Sequence, residues 1–566
     1  MWRWSGIFRC IVVFCVIAVT LSAVAVQAEE KKPAETTITN DKLRLGERIY
    51  REGILPSGKP VKAIVKGDIE VEGKMFTCQN CHMRSGLGSV EGGVYSPPTN
   101  GASLFKPFKL TYRGIVLEKV PPRRPAYSDA SLAEMLRYGD DPTGRILNDV
   151  MPRYELDDND MAILISYLKS LSAPLSPGYS DNTLHLATVI TDDVKAEDRE
   201  AMLRQLDYFV KSKNDLAGYF NPRAVLRAQR MGVAAASMLG SEEVTLLKLS
   251  LSRWILKGPP ETWRAQLEDY YRKEPVFALI GGITTGEWGP VHRFCEDNRI
   301  PCLFPNTDYP VISKTDWYNL YMSKGFYQEG EGAARYLSTR KDSLKGGKVI
   351  QIVRGGREGK AMATGFRETW TGLGNGTPDE VIIDGDKGIT EKMLKRLLAE
   401  KKPAAILIWD DARSLPALDM LAKIKGRPEM VFVSSSYLGN EMRTISESAR
   451  DLTYITYPVS LPPEPVNPKA FQSMQKKIFK PDSTKTDGQI YAVYKVLSMA
   501  LMNMRGNYYR DYFLDVIDCG MDQDVPLYER ISFGPGQRYA SKGCYIVQLS
   551  KGEKPELIKK SDWVIH

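Results

Sequence analysis

From residue 183 onward, short apolar runs alternate with longer amphipathic stretches, and this alternation narrows the possible fold more than any other feature of the chain. LHLATVI, VTLLKLSL and VFALIGGI read as one set of strands, and GGKVIQIVRG, DEVIID, AAILIWD and MVFVSSS as a second. Between them AVLRAQRMGVAAASMLG, TWRAQLEDYYRK, KAMATGFRETW, EKMLKRLLAE and SLPALDMLAKIKG read as helices. Strands joined by helices run parallel, because a crossover of helix length brings the chain back to the edge where it started. The pattern is too long for one compact sheet, so it predicts two α/β lobes.

The first 28 residues differ. Arg3 and Arg9 precede the run IVVFCVIAVTLSAVAV, and VQA ends it before a charged EEKK segment. This is the pattern of a secretory signal peptide spanning 1–28, cut after Ala28. Cleavage removes Cys10 and Cys15 and leaves six of the eight cysteines. No other stretch reaches the ~18 apolar residues of a membrane span, so the expectation is a soluble protein of the periplasm. The formal charge of +8 is not gathered into a basic tract with interleaved aromatics, which argues against nucleic acid. No GxGxxG follows a strand, which argues against nicotinamide binding. The chain has only four histidines, too few for several bis-histidine haems or a histidine-built metal cluster.

One of the four lies in Cys78-Gln79-Asn80-Cys81-His82. Two thiols in this spacing followed directly by histidine form the attachment signature of c-type haem, with thioethers to the porphyrin and imidazole to the iron. The competing reading, a redox dithiol or zinc pair, loses weight behind an export signal. One covalent haem c is therefore expected, with His82 as an iron ligand. Met83 is too close to His82 to reach the other haem face, which leaves Met135, Met151 and Met161. Met135 and Met161 fall on helical patterns and read as core. Met151 falls on an irregular stretch, next to Pro152, which restricts the backbone, and before a helix at about 158–171 capped by Asp157 or Asp158. It is the preferred second ligand; the alternative is a core filler beside a five-coordinate or otherwise ligated iron.

Residues 41–173 resemble a class I cytochrome c domain through LRLGERIYREG, CQNCH, AYSDASLAEMLRYG, VMPRY and ISYLKSL. The resemblance implies an all-α domain whose first and last helices cross near the haem edge. It also implies attachment at Cys78 and Cys81, iron ligation by His82 and Met151, and electron transfer.

A Pro-, Ser- and Gly-rich linker at 174–182 leads into residues 183–566. These resemble the periplasmic substrate-binding proteins of the branched-chain amino acid and amide class (type I), through FALIGGITTGEWGPVHRFCEDNRIPCLFPNTD, SKTDWYNLYMSKGFYQEGEGAARYL and GGKVIQIVRGGREGKAMATGFRETW. The resemblance implies two α/β lobes, joined by strands that cross more than once, closing on a small ligand. Loops at the carboxyl edges of parallel strands are the candidate site. They supply Thr284, Thr285, Gly286, Asp308 and Tyr309 on one lobe, and Tyr327, Trp409, Asp410 and Ser436 as the facing wall. For each, a cap or surface-loop role competes. In the family, hydroxyls of one lobe often hold a ligand carboxylate while an acid of the other holds its ammonium; Asp410 would play that acid.

Export permits disulfides, and local pairing joins Cys295 to Cys302 and Cys519 to Cys544, against buried thiols or crossed bonds. His185 and His292 read as structural. The expected function is a periplasmic c-type cytochrome whose receptor domain gates or targets electron transfer. Its partners would be a small molecule and a redox partner protein. Two alternatives are a solute receptor for an ABC-type membrane permease with haem as redox control, and a haem-linked oxidoreductase acting on the bound molecule.

Overall fold

The computed structural model describes residues 33–91, 94–107, 124–219, 247–340, 344, 347–461, 485–525, 528–534 and 536–565. The signal segment 1–28 and the helix expected at 224–240 lie outside the described residues. The chain forms two compact units, Met1–Leu175 and Ser176–His566.

In the first unit the helices Pro33–Glu52 and Asp158–Ser170 pack against each other. The later one begins where the Asp157 carboxylate accepts the Asp160 amide (2.8 Å) and satisfies an otherwise orphaned donor. Gly46 sets how closely the two axes approach. A Cβ there would stand 2.5 Å from Tyr167 Cβ and 2.8 Å from Ile163 O, so only glycine fits. A third helix, Asp129–Tyr138, starts at a Ser128/Ser131 capping box and stops at Gly139, whose φ of 89° lets the chain turn away.

The unit is not all-α. Strand β1 (Lys62–Val65) pairs antiparallel with β2 (Ile69–Glu72) and with a later strand, β5 (Arg153–Glu155); β3 (Ser89–Glu91) and β4 (Val94–Ser96) form a hairpin. The expectation of a purely helical unit is corrected here, and the cause is local. KAIV points Ala63 and Val65 inward at period two, and Lys66 and Gly67 take positive φ (52° and 88°) to reverse the chain. Arg153–Glu155, read as irregular, completes this sheet.

Among the described residues the second unit contains two mainly parallel sheets. In the first, β7 (Thr183–Thr191) lies between β8 (Lys248–Leu256) and β9 (Ala278–Ile280), followed by β10 (Cys302–Leu303) and β11 (Asn319–Leu320). A short β6 (Tyr179–Ser180) pairs antiparallel with the start of β7. In the second, β12 (Val349–Arg354) lies between β13 (Asp379–Ile383) and β14 (Ala405–Trp409), followed by β15 (Met430–Ser434) and β16 (Thr453–Tyr457). Every residue of β12, β14 and β15 is buried, as expected for strands covered on both faces. Each sheet therefore has the order 2-1-3-4-5, and its topological switch point lies beside the first strand.

The lobes exchange chain. Helix Phe326–Ser338 packs in the second lobe, against Arg357–Gly372. Helices Lys485–Met504 and Arg510–Asp518 return to the core of the first, where Ile490, Leu497 and Phe513 meet Leu184 and Leu206. After a β17 (Gln523–Val525) and β18 (Tyr528–Ile531) hairpin, β19 (Gly543–Leu549) joins β16 antiparallel in the second lobe. No described helix is long and apolar enough to cross a membrane.

Candidate functional sites

Residues Cys78–His82 form one short helical turn. The Gln79 side chain donates to Arg51 O (2.8 Å), Thr77 Oγ1 donates to Asn80 Oδ1 (2.8 Å), and the Tyr50 hydroxyl donates to Met83 O (2.8 Å). The turn is thus tied to the end of helix Pro33–Glu52. His82 is buried, and its Nδ1 lies 2.7 Å from Pro97 O. A carbonyl only accepts, so Nδ1 carries the proton and Nε2 presents a lone pair. Burial lowers the basicity of this imidazole, against the Pro97 contact, and favours the neutral ring that a metal ligand must be. Burial also pushes the Cys78 thiol up to about 11 and raises Cys81, so neither is a thiolate at neutral pH.

Cys78, Cys81 and His82 line a cavity of about 130 Å³. Met151 and Pro152 line it too, with Phe76, Leu104, Leu132, Leu136, Leu164 and Leu168. Among the described residues no Asp, Glu, Lys or Arg is in the lining. Protein interiors hold few voids larger than a water molecule, and the lining of this one is mainly apolar. Haem c fits what is present: two thiols and a neutral imidazole with a ligating nitrogen, a thioether, and described wall residues without charge. Cys78 and Cys81 would hold the porphyrin edge, and His82 and Met151 the iron. Met135 also lines the cavity, from a buried position on helix Asp129–Tyr138; Met161 belongs to the core alone. Among the described residues no group of three or more His, Cys, Asp or Glu side chains converges as a metal site.

In the second unit the expected cleft residues have other uses. The Thr285 amide donates to Thr191 Oγ1 (3.2 Å), and its hydroxyl donates to the Asp193 carboxylate. Thr284 Oγ1 donates to Glu287 O (3.2 Å), while Gly286 (φ 102°) leaves room for the Arg357 guanidinium. Trp409 is a core residue, not a cleft wall: it ends a strand buried on both faces, and its indole donates to Gln351 Oε1 (2.6 Å). Asp410 is also buried and receives Arg354 Nε (2.8 Å) and Nη2 (2.7 Å), so the acid expected to meet a ligand ammonium is neutralised within the protein. Ser436 is exposed in a one-turn helix capped instead by Ser434. Tyr327 donates to Glu368 (2.7 Å) and lines a separate groove with Lys324, Arg335 and Tyr539.

Contact between the lobes is made by Tyr309 and by two residues that sequence reasoning passed over. Tyr309 donates to Glu358 Oε1 (2.5 Å), and the Arg357 guanidinium stands 4.4 Å over its ring. Burial and the Glu358 carboxylate both raise the Tyr309 pKa. Arg357 also lies 3.9 Å from Glu287. Phe326 packs against both Tyr309 (5.7 Å) and Tyr437 (5.9 Å), so aromatic rings line this junction. Asp308 is exposed beside it. The signal for Arg357, Glu358 and Asp193 was positional, since each follows the first strand of its sheet, at the switch point.

The structure contains no disulfide among the described residues. Cys295 and Cys302 are buried and hydrogen-bonded to each other as thiols. The pairing of Cys519 with Cys544 is corrected: Cys519 is exposed at the end of a helix packed on the first-lobe core, and Cys544 is buried in β19 of the second lobe. His185 bonds Ser250 and Ser180, and His292 bonds Tyr321 and Asp316.

No protein-family model matches the chain. No curated protein matches it. Among solved structures it aligns with a putative branched-chain amino acid ABC transporter from Rhodospirillum rubrum at 12% identity and TM-score 0.47, covering 68% of this chain and 100% of that one. A solute-binding protein of an ABC transporter from Rhodopseudomonas palustris BisB5, in complex with 3,4-dihydroxybenzoic acid, aligns at 15% identity and TM-score 0.45, over 68% and 99%. An ABC transporter substrate-binding protein from Sphaerobacter thermophilus aligns at 13% identity and TM-score 0.46, over 68% and 98%.

Proposed function

We propose that this chain is an exported solute receptor that carries one covalently attached haem c. The observation that carries the haem reading is the shared lining of one mainly apolar cavity by Cys78, Cys81, His82 and Met151. Bound there, haem supplies one-electron transfer. The protein's own part is to hold and shield. Pro97 O fixes the His82 tautomer, the Gln79 and Tyr50 hydrogen bonds fix the attachment turn, and the leucines of helices Asp129–Tyr138 and Asp158–Ser170 keep water out.

The two-lobed unit supports the receptor half of the reading. Two sheets place their switch points at a junction bridged by Tyr309 and Glu358, and such crevices are where open α/β sheets take ligands. Because Asp410 and Thr285 already have internal partners, the arrangement does not favour a free α-amino acid. In the periplasm this receptor would deliver its small molecule to an ABC-type membrane permease, and the haem would report or set redox state through a periplasmic redox partner. The electron-carrier reading rests on the same cavity and differs in which unit serves the other.

The test is intact-mass and native mass spectrometry of full-length protein made in a periplasm competent for c-type haem attachment. One haem per chain, lost when Cys78 and Cys81 are both changed to Ala, is expected. Protein that emerges without covalent haem refutes the cofactor; transport of no solute class in a strain carrying the intact gene refutes delivery.

A further inference from the structure

We infer that Arg153 is a positioning residue that clamps the 147–151 loop and thereby holds the Met151 thioether at the cavity. This rests on the haem reading. Arg153 opens β5, pairs with Ile64 in the sheet, and turns its guanidinium back over the loop. Nη1 donates to Met151 O (2.6 Å) and Nη2 to Leu147 O (2.8 Å), with Asp149 Oδ1 3.9 Å away. One planar fork therefore grips both ends of the loop. The grip has a built seat: a Cβ on Gly139 would lie 2.3 Å from Arg153 Nε and 2.4 Å from Cζ, so glycine at this position makes room for the guanidinium. Leu147 N donates to Gly139 O (2.8 Å), and Lys66 N donates to Asp149 O (2.9 Å), so the loop is held from the helix and from the sheet as well. By contrast, Met135 sits on a regular helix with no such device. A loop anchored at three carbonyls presents one side chain in one place, which a second iron ligand would require.

The experiment uses the full-length holoprotein and its Arg153→Gln, Arg153→Lys and Gly139→Ala variants, each first weighed for covalent haem. The readouts are the weak red-edge absorption band of thioether-ligated ferric haem, the reduction potential, and the affinity for added imidazole, which competes with Met151. Arg153→Gln is expected to weaken the band, lower the potential and bind imidazole about tenfold more tightly, since charged hydrogen bonds no longer hold the loop. Arg153→Lys, with the charge but no fork, falls between. Gly139→Ala, which displaces the guanidinium without touching Met151, shifts all three readouts in the same direction. Haem-loaded Arg153→Gln and Gly139→Ala with wild-type band and imidazole affinity overturn the clamp alone. Wild-type protein without haem overturns the haem reading and the clamp with it.

Discussion

The sharpest difference between Asp410 as a ligand group and Asp410 as an internal partner appears on removing it. Its carboxylate and the Arg354 guanidinium form a two-pronged pair at 2.8 and 2.7 Å, with side-chain exposures of 0% and 5%. Truncating Asp410 to Ala leaves a buried cation whose remaining contacts are Gly385 O (2.7 Å) and Lys387 O (2.8 Å), both through Nη1. Breaking one side of a buried pair costs about 3–5 kcal/mol. Replacing both members with apolar residues of similar size, Arg354→Met with Asp410→Leu, removes the stranded charge. It forfeits two carbonyl hydrogen bonds and the bond from the Asp411 amide to Asp410 Oδ1 (2.9 Å), worth about 1 kcal/mol each, so the double variant should stand within about 3 kcal/mol of wild type. Urea unfolding of the full chain, followed by tryptophan fluorescence because Trp409 is buried next to the pair, measures all four corners of the cycle. An Asp410→Ala protein within about 1 kcal/mol of wild type, the worth of an exposed pair, would refute the argument. So would loss of ligand binding at unchanged stability.

Other expectations follow from particular contacts. Gly46→Ala should destabilise the first unit by about 1–3 kcal/mol through overpacking against Tyr167 and Ile163, seen by circular dichroism as an earlier thermal transition. Met151→Ala should abolish the thioether band and Met135→Ala should leave it, if Met151 is the ligand; the reverse result would move ligation to the helix. Tyr309→Phe and Glu358→Gln should loosen the lobe junction, which small-angle scattering would register as a larger radius of gyration, and identical scattering would remove this contact from the account. Mild oxidation should join Cys295 to Cys302 and leave Cys519 unlinked to Cys544, as peptide mapping under non-reducing conditions will show. Burial raises the Asp141 pKa, but donors from Thr143 and Arg145 outweigh it and hold the pKa below the usual carboxylate range. Its stabilisation is therefore complete above an unfolded value of about 3.9 and fades as pH falls through the lower folded value. Asp141→Asn should flatten the acid limb of unfolding and leave the neutral limb parallel.

Legibility divided according to distance along the chain. The CxxCH pattern at 78–82 was visible because its residues are adjacent, and the structure forms it as one short helical turn. The helix at Asp158–Ser170 and its Asp157 cap were legible for the same reason. The β1–β2 pair was missed although KAIVKGDIEVE alternates, because four-residue strands carry a weak signal beside a helical family pattern. Trp409 and Asp410 were placed at a cleft because they end a strand. Strand ends also carry the residues that close a core, and only the neighbouring strand shows which role applies.

By itself the sequence determined a run of α/β units, which rests on residue type and a period of a few residues, and it raised the expectation of an export-type leader and of haem attachment at a CxxCH pattern. Tertiary structure alone decided which polar groups remain available. Arg354 meets Asp410 across 56 residues, and Thr285 meets Asp193 across 92. It also left Cys519 exposed at a helix end and buried Cys544 in the second-lobe core, and it turned Arg153 back over the Met151 loop. Such pairings follow from strand order, register and the closeness of packed elements, which no local pattern encodes.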